Sequence, residues 1–224
     1  MYHHVKVWGD KMGEIIALSV GKPKSFLWKG KTESSGIGKG KVSIAELTRD
    51  GFVGDGVANL EHHGGPERAV CVYSFEHYKQ WEKEYNVKLS PPALGENLCV
   101  SGMLEKDVYI GDVYSLGNAV VQVTQGRVPC STISKFNDID LFLKRIVETN
   151  YTGYFFKVLQ EGTVQADGKI ELIERTQDKV SILYANQIFL HDKKNKAGLK
   201  DLLEVNELAY VWRQKIEKLL VNNI

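Results

Sequence analysis

The 224-residue sequence has few cysteines, and their spacing excludes several classes of protein. Only three are present, Cys71, Cys99 and Cys130, and no two of them form a CxxC pair. A disulfide-stapled secreted fold needs a denser, paired set, and an iron–sulfur cluster needs clustered thiolates. We therefore expect a protein of a reducing compartment and predict that it is cytoplasmic.

The sequence also lacks a charge excess and a long apolar run. Its formal net charge is +1, so no overall field would draw it to nucleic acid or to an anionic membrane. The first ten residues contain no apolar core of a signal peptide, and no segment has the length of a membrane span. We expect neither a nucleic-acid polymer nor a membrane as a partner. Any anionic ligand must be held by local basic groups.

Several catalytic and cofactor signatures are missing as well. There is no P-loop, no GxGxxG after a strand, no HExxH and no nucleophile elbow. A signature for flavin, nicotinamide or haem is also absent. If the protein carries out redox chemistry, its electrons must therefore come from a separate electron-donor protein.

Short alternating segments predict a mainly β fold. Apolar and polar residues alternate over residues 121–124 and 169–172, which is typical of half-buried strands. Residues 21–40 contain five lysines and no apolar period, which predicts a loop or a lid. Further strands are predicted at residues 13–20, 42–47, 112–116 and 154–159.

Helical spacing of apolar residues predicts two helices within this β region. One covers residues 75–85 and ends at Asn86, and the other covers residues 138–149 with Asp138 as its N-cap. Many short strands with few helices favour a β-barrel or a strongly bent sheet.

Beyond about residue 177 the pattern becomes helical. Three short helices are predicted, the first capped by Asp178, and some 45 residues are too few for an independent core. We divide the chain into a β domain at residues 1–177 and a three-helix region at residues 178–224. These helices could form an interface such as that of a homodimer, a lid, a surface for the electron donor, or simple packing on the β domain.

The segment GDGVANLEHHGGPERAV, residues 54–70, is the richest in chemistry. His62 and His63 precede Gly64 and Gly65, and Arg68 follows. Glycines let a backbone approach a ligand, while imidazole and guanidinium groups bind phosphate or other anionic oxygens. The alternative is a tight turn that carries a surface histidine pair.

The segment QVTQGRVPCSTI, residues 122–133, places Cys130 just past a predicted strand end. A thiolate there could be a nucleophile or a soft metal ligand, and Arg127 would lower its pKa by favouring the charged form. The alternative is an inert buried cysteine. Cys71 and Cys99 lie in apolar stretches and are interpreted as core residues.

The segment ALGENL, residues 93–98, contributes two weaker candidates. Glu96 and Asn97 follow a glycine at a predicted turn and could orient a ligand or cap a strand. A zinc site is a further possibility, but His62 and His63 are adjacent and could not share a metal within one helix. A third ligand such as His77 or Glu96 would have to be supplied by the fold.

The order of these segments is more specific than any one of them. GD, HHGGPERAV, ALGENL, DVYIGDV and QGRVPC follow one another in a sequence that resembles the MOSC family, the domain also found at the C-terminus of molybdenum cofactor sulfurases. GKPK at residues 21–24 and the helical tail resemble its YiiM-like subfamily, which is associated with resistance to 6-N-hydroxylaminopurine. The resemblance implies a MOSC β-barrel with peripheral helices and a small C-terminal three-helix appendage.

The resemblance also implies a set of site residues. The family's cysteine falls on Cys130, its HGG-x-[DE]-[RK] segment on His63, Gly64, Gly65, Glu67 and Arg68, and its GEN segment on Gly95, Glu96 and Asn97. Gly126 stands where the subfamily usually has proline; this loosens the backbone but keeps Arg127 and Cys130 in register.

The implied activity is the reduction of N-hydroxylated compounds, such as 6-N-hydroxylaminopurine and related base analogues, by a bound molybdenum cofactor. Cys130 would be the molybdenum ligand, and His62 or His63 would deliver a proton. The remaining cofactor-binding candidates are Arg68, His63, Gly64, Gly65, Glu96, Asn97, Arg127, Lys22 and Asp55.

Three other interpretations of the site are consistent with the sequence. Pyridoxal phosphate binding is a further family-level association. A non-catalytic carrier of the cofactor or of sulfur on Cys130 is the first alternative to the reductase, and a cysteine hydrolase that uses Cys130 and His63 is the second.

Overall fold

The computed structural model describes residues 12–58 and 64–222, within which thirteen strands and six α-helices are found. The strands are β1 (Met12–Val20), β2 (Lys24–Trp28), β3 (Lys31–Ser35), β4 (Gly40–Lys41), β5 (Ile44–Thr48), β6 (Gly51–Phe52), β7 (Val70–Ser74), β8 (Leu98–Ser101), β9 (Val113–Leu116), β10 (Ala119–Gly126), β11 (Tyr154–Gln160), β12 (Gly162–Gln165) and β13 (Lys169–Glu174). The helices are α1 (Glu76–Tyr85), α2 (Thr132–Asn137), α3 (Phe142–Thr149), α4 (Ile182–Asn186), α5 (Lys196–Leu203) and α6 (Tyr210–Asn222). A 3₁₀ turn covers Pro66–Arg68, and a π-helical turn covers Gln187–His191.

Seven strands close into a barrel in the order β13, β9, β10, β11, β7, β8, β1. The barrel closes where β1 pairs with β13, with Met12 opposite Glu171 and Glu14 opposite Lys169. Neighbouring strands are antiparallel except β7 and β8. Closure leaves no unpaired edge in the barrel. The predicted mainly β fold, with a barrel and peripheral helices, is therefore confirmed.

The barrel interior is apolar, and all but one of the eight residues of β10 are buried. Val121 and Val123 are fully buried, as predicted from their alternation. The prediction that β10 is only half-buried is wrong, because Gln122 and Thr124 on its other face are buried too. The helical tail contributes to this burial: α4 packs on β10, and Ala209 Nα donates to the Thr124 carbonyl.

A second cluster of buried residues lies outside the barrel, where α1, α2 and α3 cover β7 and β8. Tyr73, Trp81, Phe142 and Ile146 are fully buried in it. Helix α1 ends as predicted at Asn86, which adopts the left-handed conformation with φ of 51°.

The predicted loop at residues 21–40 is in large part a β-hairpin. Strands β2 and β3 pair over five residues, and the turn between them has positive φ at both central positions, Lys29 (46°) and Gly30 (77°). Such a two-residue turn matches the twist of the strands it joins. The apolar run FLW obscured the alternation: Phe26 and Trp28 are half-buried, whereas Leu27 is exposed.

Two predicted helix caps are also wrong. Asp138 ends helix α2, which was not predicted, in the left-handed conformation with φ of 51°. The helix predicted over residues 138–149 begins only at Phe142, as α3. Helix α4 is capped by Ser181 rather than Asp178, since the Ser181 hydroxyl accepts from Tyr184 Nα.

The C-terminal helices share one hydrophobic cluster with the barrel. Trp212 of α6 is buried and stacks on Phe189, with ring centroids 4.0 Å apart. The cluster continues through Leu199 and Leu202 to barrel residues such as Val121. The division of the chain at residue 177 stays a prediction. Within the described ranges, no helix combines the length and the apolar character that a membrane crossing requires.

Candidate functional site

A cavity of about 350 Å³ lies at one end of the barrel. Its wall is built from separate segments of chain: the connection from β3 to β4, the loop after β6, the turn at residues 64–68 and the segment that joins β10 to α2. The size is that of a site for a small organic ligand or cofactor.

Cys130 lies in the cavity wall and is half-buried. It follows Pro129 after the end of β10, and its carbonyl accepts from Ile133 Nα at 3.2 Å in the first turn of α2. The strand end and the helix start therefore hold the thiol at a fixed place. Cys130 is neither sealed in the core nor fully exposed, and Arg68 and Arg127 line the same cavity.

Arg127 is a cation of the cavity wall with one nitrogen shielded from solvent. Its Nη2 donates to the Leu94 carbonyl at 2.8 Å, while its Nη1 is shielded from solvent and has no hydrogen-bond partner among the described residues. Burial by itself lowers the pKa of Arg127, but Cys71, Cys130 and Glu96 nearby raise it above its ordinary value. The guanidinium is therefore charged, with one donor nitrogen still to be satisfied.

Lys39 is a second buried cation in the wall, and sequence analysis missed it. Its side chain is 4% exposed and forms an ion pair with Asp55. The Asp55 carboxylate also accepts from Gly21 Nα at 2.9 Å and from Asn97 Nδ2 at 2.8 Å. These contacts give Asp55 and Asn97 a clear structural role, because they fix the lysine at the cavity.

Asn97 also links the Lys39–Asp55 ion pair to the barrel strands. Its Oδ1 accepts from Cys71 Nα at 3.0 Å, and its Nδ2 donates to the Ser19 carbonyl at 3.2 Å. The interpretation of Cys71 as a core residue is incomplete: it is buried, and burial raises the pKa of its thiol, but it lines the cavity. Cys99 is a core residue, as predicted.

The turn at residues 64–68 contributes backbone and one guanidinium. Gly64, Gly65 and Arg68 all line the cavity. Gly65 has φ of 106° and ψ of 154°, a conformation that only glycine adopts readily, and a Cβ there would meet nothing within 4 Å. Burial lowers the pKa of Arg68, and Glu67 partly offsets this.

Two predicted ligands lie outside the cavity wall. Glu96 is completely buried; its Oε1 accepts from the Tyr78 hydroxyl at 2.5 Å and its Oε2 from Leu94 Nα at 3.2 Å. Lys22 is exposed and does not line the cavity. His62 and His63 lie outside the described residues.

A zinc site receives no support from the described ranges, in which no group of three His, Cys, Asp or Glu side chains could hold a metal ion. His77, the suggested third ligand, is buried against Glu105, with 2.7 Å between Nε2 and Oε2.

Gly126 has a steric role rather than the predicted loosening of the backbone. A Cβ at this position would overlap Asn186 Oδ1 and would lie 3.3 Å from the Trp212 ring. The residue before Arg127 therefore lacks a side chain because the helical tail occupies that space.

Comparison with known proteins assigns the chain to a family. The profile of the MOSC domain matches residues 59–171, and that of the YiiM-like 3-alpha helix domain matches residues 180–222. YflK, an uncharacterized protein of Bacillus subtilis strain 168, is 41% identical over 205 residues, which are 91% of this chain and 93% of that one. A protein of Gibberella moniliformis named a reductase is 30% identical over 88% of this chain, which spans only 35% of its length.

A solved structure has the same architecture. The crystal structure of YiiM from Geobacillus stearothermophilus superimposes with a TM-score of 0.80 at 32% identity, covering 93% of this chain and 99% of that one. Because both the sequence profiles and a full-length structural match agree with the barrel, the tail and the order of the motifs, this chain belongs to the MOSC domain family and carries the C-terminal helices of its YiiM-like members.

Proposed function

We propose that this protein binds a molybdenum cofactor in the cavity, with Cys130 as the molybdenum ligand, and reduces N-hydroxylated compounds such as 6-N-hydroxylaminopurine. The observation that carries the proposal is the pairing of a half-buried thiol with a buried, incompletely bonded guanidinium in one cavity. The name of the Gibberella moniliformis relative is consistent with reductase chemistry in the family.

The residues of the cavity fit an anionic, polar ligand. The pyranopterin carries a phosphate, and phosphates are held by guanidinium groups, ammonium groups and backbone amides. Arg127 offers an Nη1 that has no hydrogen-bond partner among the described residues, Arg68 lines the cavity, and Lys39 adds a positive charge fixed by Asp55. Gly65 leaves open space where any other residue would carry a side chain.

Cys130 fits the role of a soft ligand. When bound, the molybdenum cofactor supplies two-electron redox chemistry and dithiolene sulfurs, to which a protein thiolate adds a further soft donor. The chain itself contributes the position of that sulfur: the end of β10 and the start of α2 hold Cys130 in the wall of the cavity that Arg127 also lines.

The reaction needs protons that this chain must deliver. Reduction of an N–OH group breaks the N–O bond, forms an N–H bond, consumes two electrons and two protons, and releases water. His62 and His63, next to the turn at residues 64–68, remain our candidates for the proton donor. The electrons come, in this proposal, from a separate donor protein. A homodimer stays a prediction, and so does the association with pyridoxal phosphate, for which Lys39 is the lysine that lines the cavity among the described residues.

The test is Cys130→Ser, expressed in a host that makes the cofactor, with Cys99→Ser as the matched control. A hydroxyl is a poor soft ligand, so we expect Cys130→Ser to fold normally but to lose bound molybdenum and to fall in turnover by about 100-fold or more. Metal analysis, pterin fluorescence and reduction of 6-N-hydroxylaminopurine with a chemical reductant are the measurements. Cys99 is buried in the aromatic cluster, away from the cavity, and its variant should keep both properties.

Equal metal content and turnover in wild type and Cys130→Ser would disprove the ligand assignment. If wild type retains molybdenum but shows no turnover with any N-hydroxylated substrate, and a persulfide can be trapped on Cys130, the protein is a carrier rather than a reductase.

A further inference from the structure

The first residue of the C-terminal helix α6 is hydrogen-bonded to the turn that carries Arg68. Tyr210 is the first residue of α6, and its backbone amide has no partner within the helix, as for every first-turn amide. That amide donates to Glu67 Oε2 at 2.9 Å. Glu67 lies between Pro66 and Arg68 in the 3₁₀ turn, so the helix start is bonded to the neighbour of a cavity residue.

Thr124 of β10 is hydrogen-bonded both to this turn and to the residue before α6. Its hydroxyl donates to the Glu67 carbonyl at 2.7 Å, and its own carbonyl accepts from Ala209 Nα at 3.1 Å. Three residues further along the chain lies Arg127. The turn, the end of β10 and the start of α6 are thus joined at one point by three hydrogen bonds.

The C-terminal helices also contact the chain where β10 ends and the segment with Arg127 and Cys130 begins. Asn186 and Trp212 pack directly against Gly126, the residue before Arg127. Asn186 is itself held, because its Nδ2 donates to the Asn150 carbonyl at 3.1 Å and to the Thr152 hydroxyl at 2.9 Å.

We infer that the C-terminal helices are a working part of the site: through Glu67 and Gly126 they position Arg68 and Arg127 to hold the ligand. Packing of the C-terminal helices on the β domain would thus also determine where the two guanidinium groups lie. The identity of the ligand rests on the proposed function, whereas the positioning itself can be measured without it.

Tyr210→Pro is the sharpest test, with Tyr210→Ala as its matched control. Proline is favoured at the first position of a helix, so it removes the N–H donor and leaves the helix intact. The alanine variant keeps the donor and loses the same side chain, which is 60% exposed. We expect Tyr210→Pro to weaken pterin retention about fivefold, the effect of losing one helix-end hydrogen bond, and Tyr210→Ala to retain pterin like wild type. Glu67→Ala removes the acceptor and should match Tyr210→Pro.

Hydrogen exchange of the backbone at residues 64–70 gives a second readout that needs no cofactor. We expect faster exchange there in Tyr210→Pro and Glu67→Ala, and no change in Tyr210→Ala. Ser181→Ala, which removes the cap of α4, controls for a general loss of stability in the tail. If it lowers pterin retention and accelerates exchange at residues 64–70 as strongly, the tail acts through stability alone and the inference fails.

Unchanged exchange and unchanged retention in Tyr210→Pro and Glu67→Ala would also overturn the inference. If wild type retains no pterin at all, the proposed function fails, but exchange at residues 64–70 still decides the positioning role.

Discussion

Arg127 and Arg175 are both withdrawn from solvent, yet their surroundings differ in one respect. Arg175 donates from Nε and Nη2 to the two oxygens of Asp112, each at 2.7 Å, and from Nη2 to the Asp107 carbonyl at 2.9 Å; its guanidinium also stacks on Tyr109. Arg127 has one carbonyl partner and an Nη1 without any among the described residues. One arginine is bonded to a carboxylate, and the other lines a cavity.

The difference indicates which buried charges support the fold and which are available to a ligand. Burying a charge costs free energy unless partners compensate for it, so a protein retains an incompletely bonded one only where something else completes it. The Arg175–Asp112 pair meets this condition within the chain. For Nη1 of Arg127, no described residue meets this condition, and in the proposed function the anionic ligand would meet it.

Substituting the two arginines in parallel should give the largest contrast. We expect Arg127→Met to reduce pterin retention about 100-fold, because it removes a cation of the cavity wall and its charged hydrogen bonds. We expect Arg175→Met to leave the buried Asp112 carboxylate unpaired and to lower the free energy of unfolding by about 3–5 kcal/mol, with unchanged pterin per folded molecule. Urea unfolding and pterin analysis measure the two effects.

The two arginines have the same role if the two variants behave alike. A large loss of stability in Arg127→Met with normal pterin in the surviving folded protein would make Arg127 a structural residue like Arg175. Arg127→Lys keeps the charge without the fork geometry, so its retention should lie between wild type and Arg127→Met.

Arg68 is expected to give a smaller effect of the same kind. It lies at the cavity but is only half-buried, so Arg68→Ala should reduce pterin retention about tenfold while changing the free energy of unfolding by less than about 1 kcal/mol. The thermal midpoint measured beside the pterin content separates the two quantities. A fall in the midpoint with unchanged pterin would contradict the assignment of Arg68 to the ligand.

Much of the fold follows from local pattern, but its closure does not. The alternation at residues 169–172 and the helical spacing at residues 75–85 identified β13 and α1. The pairing of β1 with β13 joins residues about 157 positions apart, which no local period records. The hairpin of β2 and β3 was missed because a lysine occupies the first turn position, where asparagine or aspartate would have been the usual signal.

The candidate site was predictable where one segment carries it. Arg127 and Cys130 lie three residues apart, and Arg68 follows the paired glycines. Lys39 was missed because its partner Asp55 is remote in sequence and GIGKGK, residues 36–41, has no period of apolar residues. Cys71 was assigned to the core because its strand is apolar on both sides, and sequence alone does not reveal that one side borders a cavity.

Glu96 is a buried acid that does not line the cavity. Of the substitutions considered, one at Glu96 should have the smallest effect on ligand binding. Both of its oxygens accept hydrogen bonds from the chain, so by the same reasoning its role is structural. We expect Glu96→Gln to keep pterin retention within about twofold of wild type, the range typical of a residue that does not touch the ligand. A strong loss of pterin would instead place Glu96 in the cofactor site, as the family motif implies.

The same variant should change the pH dependence of stability. Burial raises the pKa of Glu96 above its ordinary value of 4.5, against the opposing hydrogen bond from Tyr78. A raised pKa means that the folded protein favours the protonated acid, so its contribution is complete below pH 4.5 and is lost as the pH rises through the folded-state pKa. Relative to Glu96→Gln, which cannot ionise, wild type should therefore lose about 1.4 kcal/mol of unfolding free energy for each pKa unit of the shift as the pH is raised toward 8. Urea unfolding of both proteins across that range measures the difference. If wild type instead gains stability relative to Glu96→Gln as the pH rises, the carboxylate, held by Tyr78 and Leu94, is the form that the fold prefers.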